Sequence, residues 1–209
     1  MTLPSLPQAP ALLIDGPDGA PLTIALAHGA GAPMDSPFMA AFAEGLAEEG
    51  YRAARFEFPY MTERRRAGSK KPPDRATVLF DTWRAVIGGL GGDNLVIGGK
   101  SMGGRIASMI AAEMEDAGTG VRGVVALGYP FHGPGKPMNP DRLAHLQNLK
   151  TPSLFCQGAR DTLGSREDVE AYTLSPAIAF HWLEDGDHGF KPRKASGLTE
   201  EGNWDSAIS

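Results

Sequence analysis

Asn94-Leu95-Val96-Ile97-Gly98-Gly99-Lys100-Ser101-Met102-Gly103-Gly104-Arg105 carries the strongest pattern in this 209-residue chain. Leu95, Val96 and Ile97 form a short apolar run that suits a strand covered on both faces. Ile106 to Met114 is rich in Ala, Met and Ile and suits a packed helix. Between them lies Gly99-x-Ser101-x-Gly103, which reads as a nucleophile elbow with Ser101 on a strand-to-helix turn. So sharp a turn crowds the side chains around the serine, and glycine at 99 and 103 removes the Cβ atoms that would collide. The turn lifts Oγ clear of the sheet. It also points the first helical N–H groups at whatever the serine attacks, where the helix dipole favours developing negative charge. In a chain with 27 glycines the motif alone can arise by chance. Its strand-turn-helix setting is what makes Ser101 a candidate.

Length and composition bound the remaining choices. A chain of this size can bury a sizeable core, and no shift in composition divides it, so a single domain over 1–209 is expected. The 42% hydrophobic and 22% charged residues are ordinary for a globular protein. A net charge of −5 sets the overall field against phosphate, which disfavours general nucleic-acid binding. Cys156 is the one cysteine and cannot form an internal disulfide; its apolar neighbours suggest a buried structural thiol. No apolar stretch is long enough to span a bilayer, and Met1 to Pro10 lacks the features of a signal peptide, so a cytoplasmic location without membrane attachment is expected.

Read in order, residues 1–10 carry three prolines and are expected to lie loosely on the surface. Ala11 to Ile14 and Leu22 to Ala27 read as strands, the second running into the small-residue loop His28-Gly-Ala-Gly-Ala-Pro33. Ser36 or Asp35 caps a helix to about Glu49, with Phe38, Met39, Phe42 and Leu46 on one face. Tyr51 to Phe58 reads as a strand closed by Pro59. Tyr60 to Pro73 reads as a loop holding Arg64, Arg65, Arg66, Lys70 and Lys71, either solvated or forming an anion site near the active mouth. Asp74 opens a helix through Ile87, which Gly88 to Gly92 ends. Beyond the elbow helix, strands are expected at Val121–Leu127, Ser153–Cys156 and Ala177–Leu183, with helices near 141–149, 166–172 and 203–208. The alternation predicts an α/β fold, a mostly parallel sheet flanked by helices, and no segment is left for a large lid.

Three chemically apt groups then fall after strand ends, in the order Ser101, Asp161, His188. Serine needs a neighbouring base because its hydroxyl is a weak nucleophile at neutral pH. Imidazole can take that proton and return it to a leaving group, and a carboxylate fixes the imidazole tautomer. Asp161 is preferred to Asp185 and Asp187, which share the tight loop of His188. His145 and His181 look structural.

His28-Gly-Ala-Gly-Ala, the elbow, Gly158-Ala-Arg-Asp161 and Asp187-His188-Gly-Phe together resemble the small lidless α/β-hydrolases over about residues 22–190. The chain is similar to a bacterial branch of the dienelactone-hydrolase-like group, whose eukaryotic relatives include a regulatory subunit of a histone acetyltransferase complex. The resemblance implies an α/β-hydrolase fold, a Ser101–His188–Asp161 triad, and Ala30 and Met102 backbone N–H groups as an oxyanion hole. His28, Gly29, Lys100 and His132 are candidate substrate contacts. No metal or organic cofactor is implied. The implied partner is a small acyl substrate, handled by a monomer or homodimer, and the absent lid favours short acyl chains. Dienelactone hydrolases use cysteine where this chain has Ser101, and the eukaryotic relatives are scaffolds. Two readings therefore stand: a serine-dependent esterase, or a binding module on the same fold.

Overall fold

The computed structural model of the protein describes residues 9–68 and 70–209, so the expectation for residues 1–8 lies outside the described residues. Among the described residues seven strands form one sheet: β1 (Leu12–Asp15), β2 (Thr23–Ala27), β3 (Arg52–Phe56), β4 (Leu95–Lys100), β5 (Gly123–Leu127), β6 (Ser153–Gly158) and β7 (Ile178–Leu183). Their order is β1-β3-β2-β4-β5-β6-β7. Only β1, at the edge, is antiparallel to its neighbour; the other five pairings are parallel. The carboxyl ends of β2 to β7 therefore share one edge. Ala27 registers with Gly99, Lys100 with Leu127, and Gly158 with Leu183.

The period of two along each strand builds two cores. Ile24 and Leu26 of β2 pack with Met39 of helix α1 (Pro37–Glu48). Ala25 and Ala27 face the other way, into the main cluster with Trp83 of α3 (Ala76–Leu90) and Ile106 and Ile110 of α4 (Met102–Asp116). Helix α7 (Glu200–Ile208) joins α1, where Phe38, Phe42, Phe190 and Trp204 form an aromatic group with centroids 4.6 to 6.2 Å apart. Fully burying one such side chain contributes about 1.5–3 kcal/mol. This packing fixes the sheet edge that carries the chemistry. Among the described residues no separate lid stands over that edge, and no helix is long and apolar enough to cross a membrane.

The chief departure from expectation is helix α2 (Pro59–Ala67), where a loop was expected. It buries only Tyr60 and Met61, so its sequence shows no helical stripe. β3 accordingly ends at Phe56. Helix α3 continues through Gly88 and Gly89, because tertiary packing outweighs their weak propensity. Residues 140–147 form a short helix α5 (Pro140–Leu143) and a 3-10 turn (Ala144–Gln147), α6 covers Arg166–Glu170, and α7 begins at Glu200.

Candidate active site

Ser101 caps α4 with φ 52° and ψ −114°, a conformation that L-residues rarely adopt. The neighbouring strand makes glycine obligatory beside it. A Cβ on Gly99 would meet the Ala27 carbonyl oxygen at 2.0 Å, and one on Gly103 the same oxygen at 2.3 Å. These contacts press the elbow against β2 and leave Oγ free at the sheet edge.

His188 lies on the loop after β7 and Asp161 on the loop after β6. His188 Nε2 is 2.9 Å from Ser101 Oγ, and its Nδ1 is 2.8 Å from Asp161 Oδ2. A buried carboxylate accepts, so Nδ1 carries the proton and the Nε2 lone pair faces the serine hydroxyl. Asp161 is fully buried, whereas 29% of the His188 side chain is accessible. Leu163 N–H donates to Asp161 Oδ1 at 2.8 Å, and Gln157 Nε2 donates to Oδ2 at 2.9 Å. Gln157, also fully buried, is oriented by Tyr129 N–H donating to its Oε1 at 2.7 Å. Sequence reasoning missed Gln157; its signal is a lone amide closing an apolar strand four residues before the acid. Asp187 instead accepts from Gly189 and Lys191 N–H, and Asp185 pairs with Arg160 and Arg193, so neither holds His188.

The loop after β2 meets the elbow at Ala30. Neither Ala30 N–H nor Met102 N–H donates to another group among the described residues, and both residues line one cleft with Ser101. His28 has a different place from the substrate contact expected of it. Its ring is fully buried: Phe58 N–H donates to Nε2 at 3.1 Å, so Nδ1 carries the proton and donates to Gly29 O at 2.7 Å. Burial lowers the His28 pKa, and the Gly29 bond opposes that shift. Tyr60 hydroxyl also donates to Gly29 O, at 3.3 Å. In a trans peptide C=O and N–H point opposite ways. Anchoring Gly29 O therefore turns Ala30 N–H away from His28 and Tyr60, into the cleft shared with Ser101.

Lys100 donates from Nζ to His188 O and lies over the rings of Phe38 and Phe190 at 5.0 and 5.2 Å. Burial lowers its pKa to about 8, against the opposing pull of Asp161 and Asp187. With Gly29 it borders a second cleft of about 470 Å³, lined also by Phe38, Met39, His188 and Trp204. The first cleft, about 380 Å³, includes His132, Arg105 and Arg142. Ser101 stands between the two. An apolar hollow of about 500 Å³ beneath Leu22, Val96, Val125 and Leu154 holds no histidine or carboxylate and lies away from this edge. No group of three His, Cys, Asp or Glu among the described residues is placed to hold a metal ion.

Three of the five basic residues of the run have partners within the chain, and Arg66 and Lys70 are exposed. Arg65 pairs with Glu57 and Asp35, Lys71 pairs with Glu63, and Arg64 donates to Ala30 O at 3.1 Å.

A mostly parallel sheet with a strained serine elbow and hydrogen-bonded serine, histidine and aspartate at its carboxyl edge is the architecture of the α/β-hydrolase fold. Residues 20–209 match the α/β hydrolase domain family, and the chain belongs to that family. An α/β serine hydrolase homologue from Coxiella burnetii is similar at TM-score 0.67 and 20% identity, over 85% of this chain and 82% of that one. A lidless serine hydrolase from Xanthomonas campestris matches at TM-score 0.63 and 20% identity, over 85% and 79%. A dienelactone hydrolase from Anabaena variabilis matches at TM-score 0.60 and 22% identity, over 85% and 81%. At these identities the likeness is one of fold.

Proposed function

We propose that the protein is a serine-dependent hydrolase of small esters, acting through an acyl-Ser101 intermediate. Ser101 Oγ bonds to the ester carbonyl carbon while His188 Nε2 takes its proton, and Ala30 and Met102 N–H groups hold the oxyanion. The ester C–O bond then breaks as Nε2 passes the proton to the departing alcohol. Water repeats the sequence, releasing the acid and restoring Ser101. Asp161 keeps the imidazole in the required tautomer and stabilises the imidazolium. The observation that carries this reading is the continuous line from Ser101 Oγ through His188 to Asp161, at 2.9 and 2.8 Å. Clefts of about 380 and 470 Å³ suit short acyl and alcohol halves. Placement in a bacterial branch related to a histone acetyltransferase regulatory subunit is likewise our reading, from the motifs.

The test needs no knowledge of the natural substrate. An alkyl fluorophosphonate should label Ser101 in the folded protein, located by peptide mapping, and labelling should be lost in Ser101→Ala, in His188→Ala and on unfolding. Folded wild type that stays unlabelled would move the protein to the binding-module reading.

A further inference from the structure

The cleft beside Ser101 carries a charge that ester hydrolysis alone does not require. Arg105 follows Ser101 by four residues, and its backbone N–H donates to Ser101 O at 3.0 Å. Four residues of helix advance about 6 Å, so its guanidinium is within a side chain's reach of the nucleophile. Arg142 lines the same cleft. Among the described residues neither arginine has a carboxylate within ion-pair distance, whereas Arg65, Arg84 and Arg193 each do.

Arg142 Nη1 donates to Pro130 O at 2.9 Å and His132 O at 3.2 Å, which holds its guanidinium in place. Arg105 Nη1 meets only Met109 Sδ, at 3.5 Å. Neither arginine contributes to the buried side-chain nitrogens that lack a partner, so their remaining N–H groups are accessible, and both residues line the cleft. Burial lowers the Arg105 pKa; Tyr129 opposes this and the like charge of Arg142 adds to it. Asp74 is the one carboxylate lining the cleft, and its Oδ2 accepts from Tyr60 N–H. His132 faces Asp168 at 3.6 Å. Two guanidinium groups against one engaged carboxylate leave a pocket set for an anion, in a protein of net charge −5.

Position then assigns that anion to one half of the substrate. His188 and Gly189 line the mostly apolar second cleft, where the one cation, Lys100, donates to His188 O and Glu200 brings a carboxylate, whereas Met102 and Arg105 line the first. The leaving oxygen must collect its proton from His188 Nε2, so the alcohol departs on the His188 side and the acyl half occupies the cationic cleft. Resting on the hydrolase reading above, we infer that the substrate is a monoester of a short dicarboxylic acid, its free carboxylate bound by Arg105 and Arg142 and its alcohol small and apolar. Hydrolysis forms one acid C–O bond from water and breaks one ester C–O bond, giving a dicarboxylate and an alcohol with no change of oxidation state.

The test compares 4-nitrophenyl hemiglutarate with 4-nitrophenyl valerate, which share chain length and leaving group. Wild type should prefer the hemiglutarate in kcat/KM by about tenfold or more at low salt, the size expected of charge-assisted hydrogen bonds. Arg105→Met and Arg142→Met should each bring the ratio toward one, Arg105→Lys should keep part of it, and added salt should narrow it. Parity in wild type, or a preference that both Met variants leave intact, would overturn the inference while leaving the hydrolase reading in place. A separate arm measures monomethyl glutarate and methyl valerate binding to Ser101→Ala by calorimetry. Selective binding of the first, lost in Ser101→Ala/Arg105→Met, would uphold the anion site even if wild type turned over neither nitrophenyl ester. Absence of that binding would overturn the inference, while the hydrolase reading stands or falls on fluorophosphonate labelling of Ser101.

Discussion

Asp161 holds its position through three donors, Leu163 N–H, Gln157 Nε2 and the His188 ring, whereas Asp187 spends its Oδ1 on the backbone of its own loop. The two acids therefore differ in what an amide would do in their place. Asn at 161 forces its NH₂ or its oxygen toward Nδ1 in competition with Gln157, and the imidazole can settle with its proton on Nε2, where it cannot accept from Ser101. Asp161→Asn should lower kcat by about 10³–10⁴-fold with the fold intact. Asn at 187 keeps a carbonyl oxygen for Gly189 and Lys191 N–H, so Asp187→Asn should stay within about tenfold of wild type. Ester turnover by the two variants, with circular dichroism for the fold, checks this; equal losses would reverse the assignment of the acid.

Helix α2 shows what the sequence concealed, and why. The elbow strand and helix, the two-sided strands β2 and β5, and the placing of Ser101, Asp161 and His188 after strand ends all follow from local pattern. Helix α2 does not, because seven of its nine residues stay out of the core and the hydrophobic period that marks a helix is missing. Its only local signals are Pro59 in the first turn and Gly68 at φ 62° after the last. What α2 does is equally non-local: Tyr60 and Arg64 reach back to the carbonyls of Gly29 and Ala30, a sequence separation of at least 30 residues. The same holds for His28, whose partner Phe58 lies 30 residues on. Through the Tyr60 bond to Gly29 O, α2 helps aim Ala30 N–H at the cleft, and Arg64 fixes the following peptide through Ala30 O, so this part of the basic run acts on the geometry of the loop. Tyr60→Phe and Arg64→Met should accordingly lower kcat by about tenfold or less, with KM nearly constant, because a looser oxyanion donor is felt most in the transition state. The loss should be equal for hemiglutarate and valerate esters. A loss confined to the anionic ester would return the run to the role of an anion site.

One buried imidazole, His28, and one half-buried one, His145, tie the stability of the molecule to acid. His145, in the 3-10 turn Ala144–Gln147, meets Ser108 Oγ of α4 at 2.9 Å. Burial lowers its pKa to about 4, with the Arg105 charge adding to the shift. His28 is lowered by burial as well. Above about pH 6.5 such an imidazole is neutral in both folded and unfolded chains and adds no pH dependence. Below about 6.5 the unfolded chain takes up a proton that the folded one refuses, so stability falls as pH falls, for His145 down to about pH 4. For His145, with a pKa near 4 against about 6.5 unfolded, the loss reaches about 2 kcal/mol by pH 5. Ordinary carboxylates protonate mainly below about pH 4.5, so the interval from pH 6.5 to 5 reports chiefly on these rings. The urea midpoint of wild type should therefore drop steadily from pH 7 through 6 to 5. His145→Gln keeps a polar partner for Ser108 and removes the titration, and it should flatten part of that slope while His28 maintains the rest. Parallel curves for wild type and His145→Gln across this interval would show that His145 already carries its proton in the folded protein.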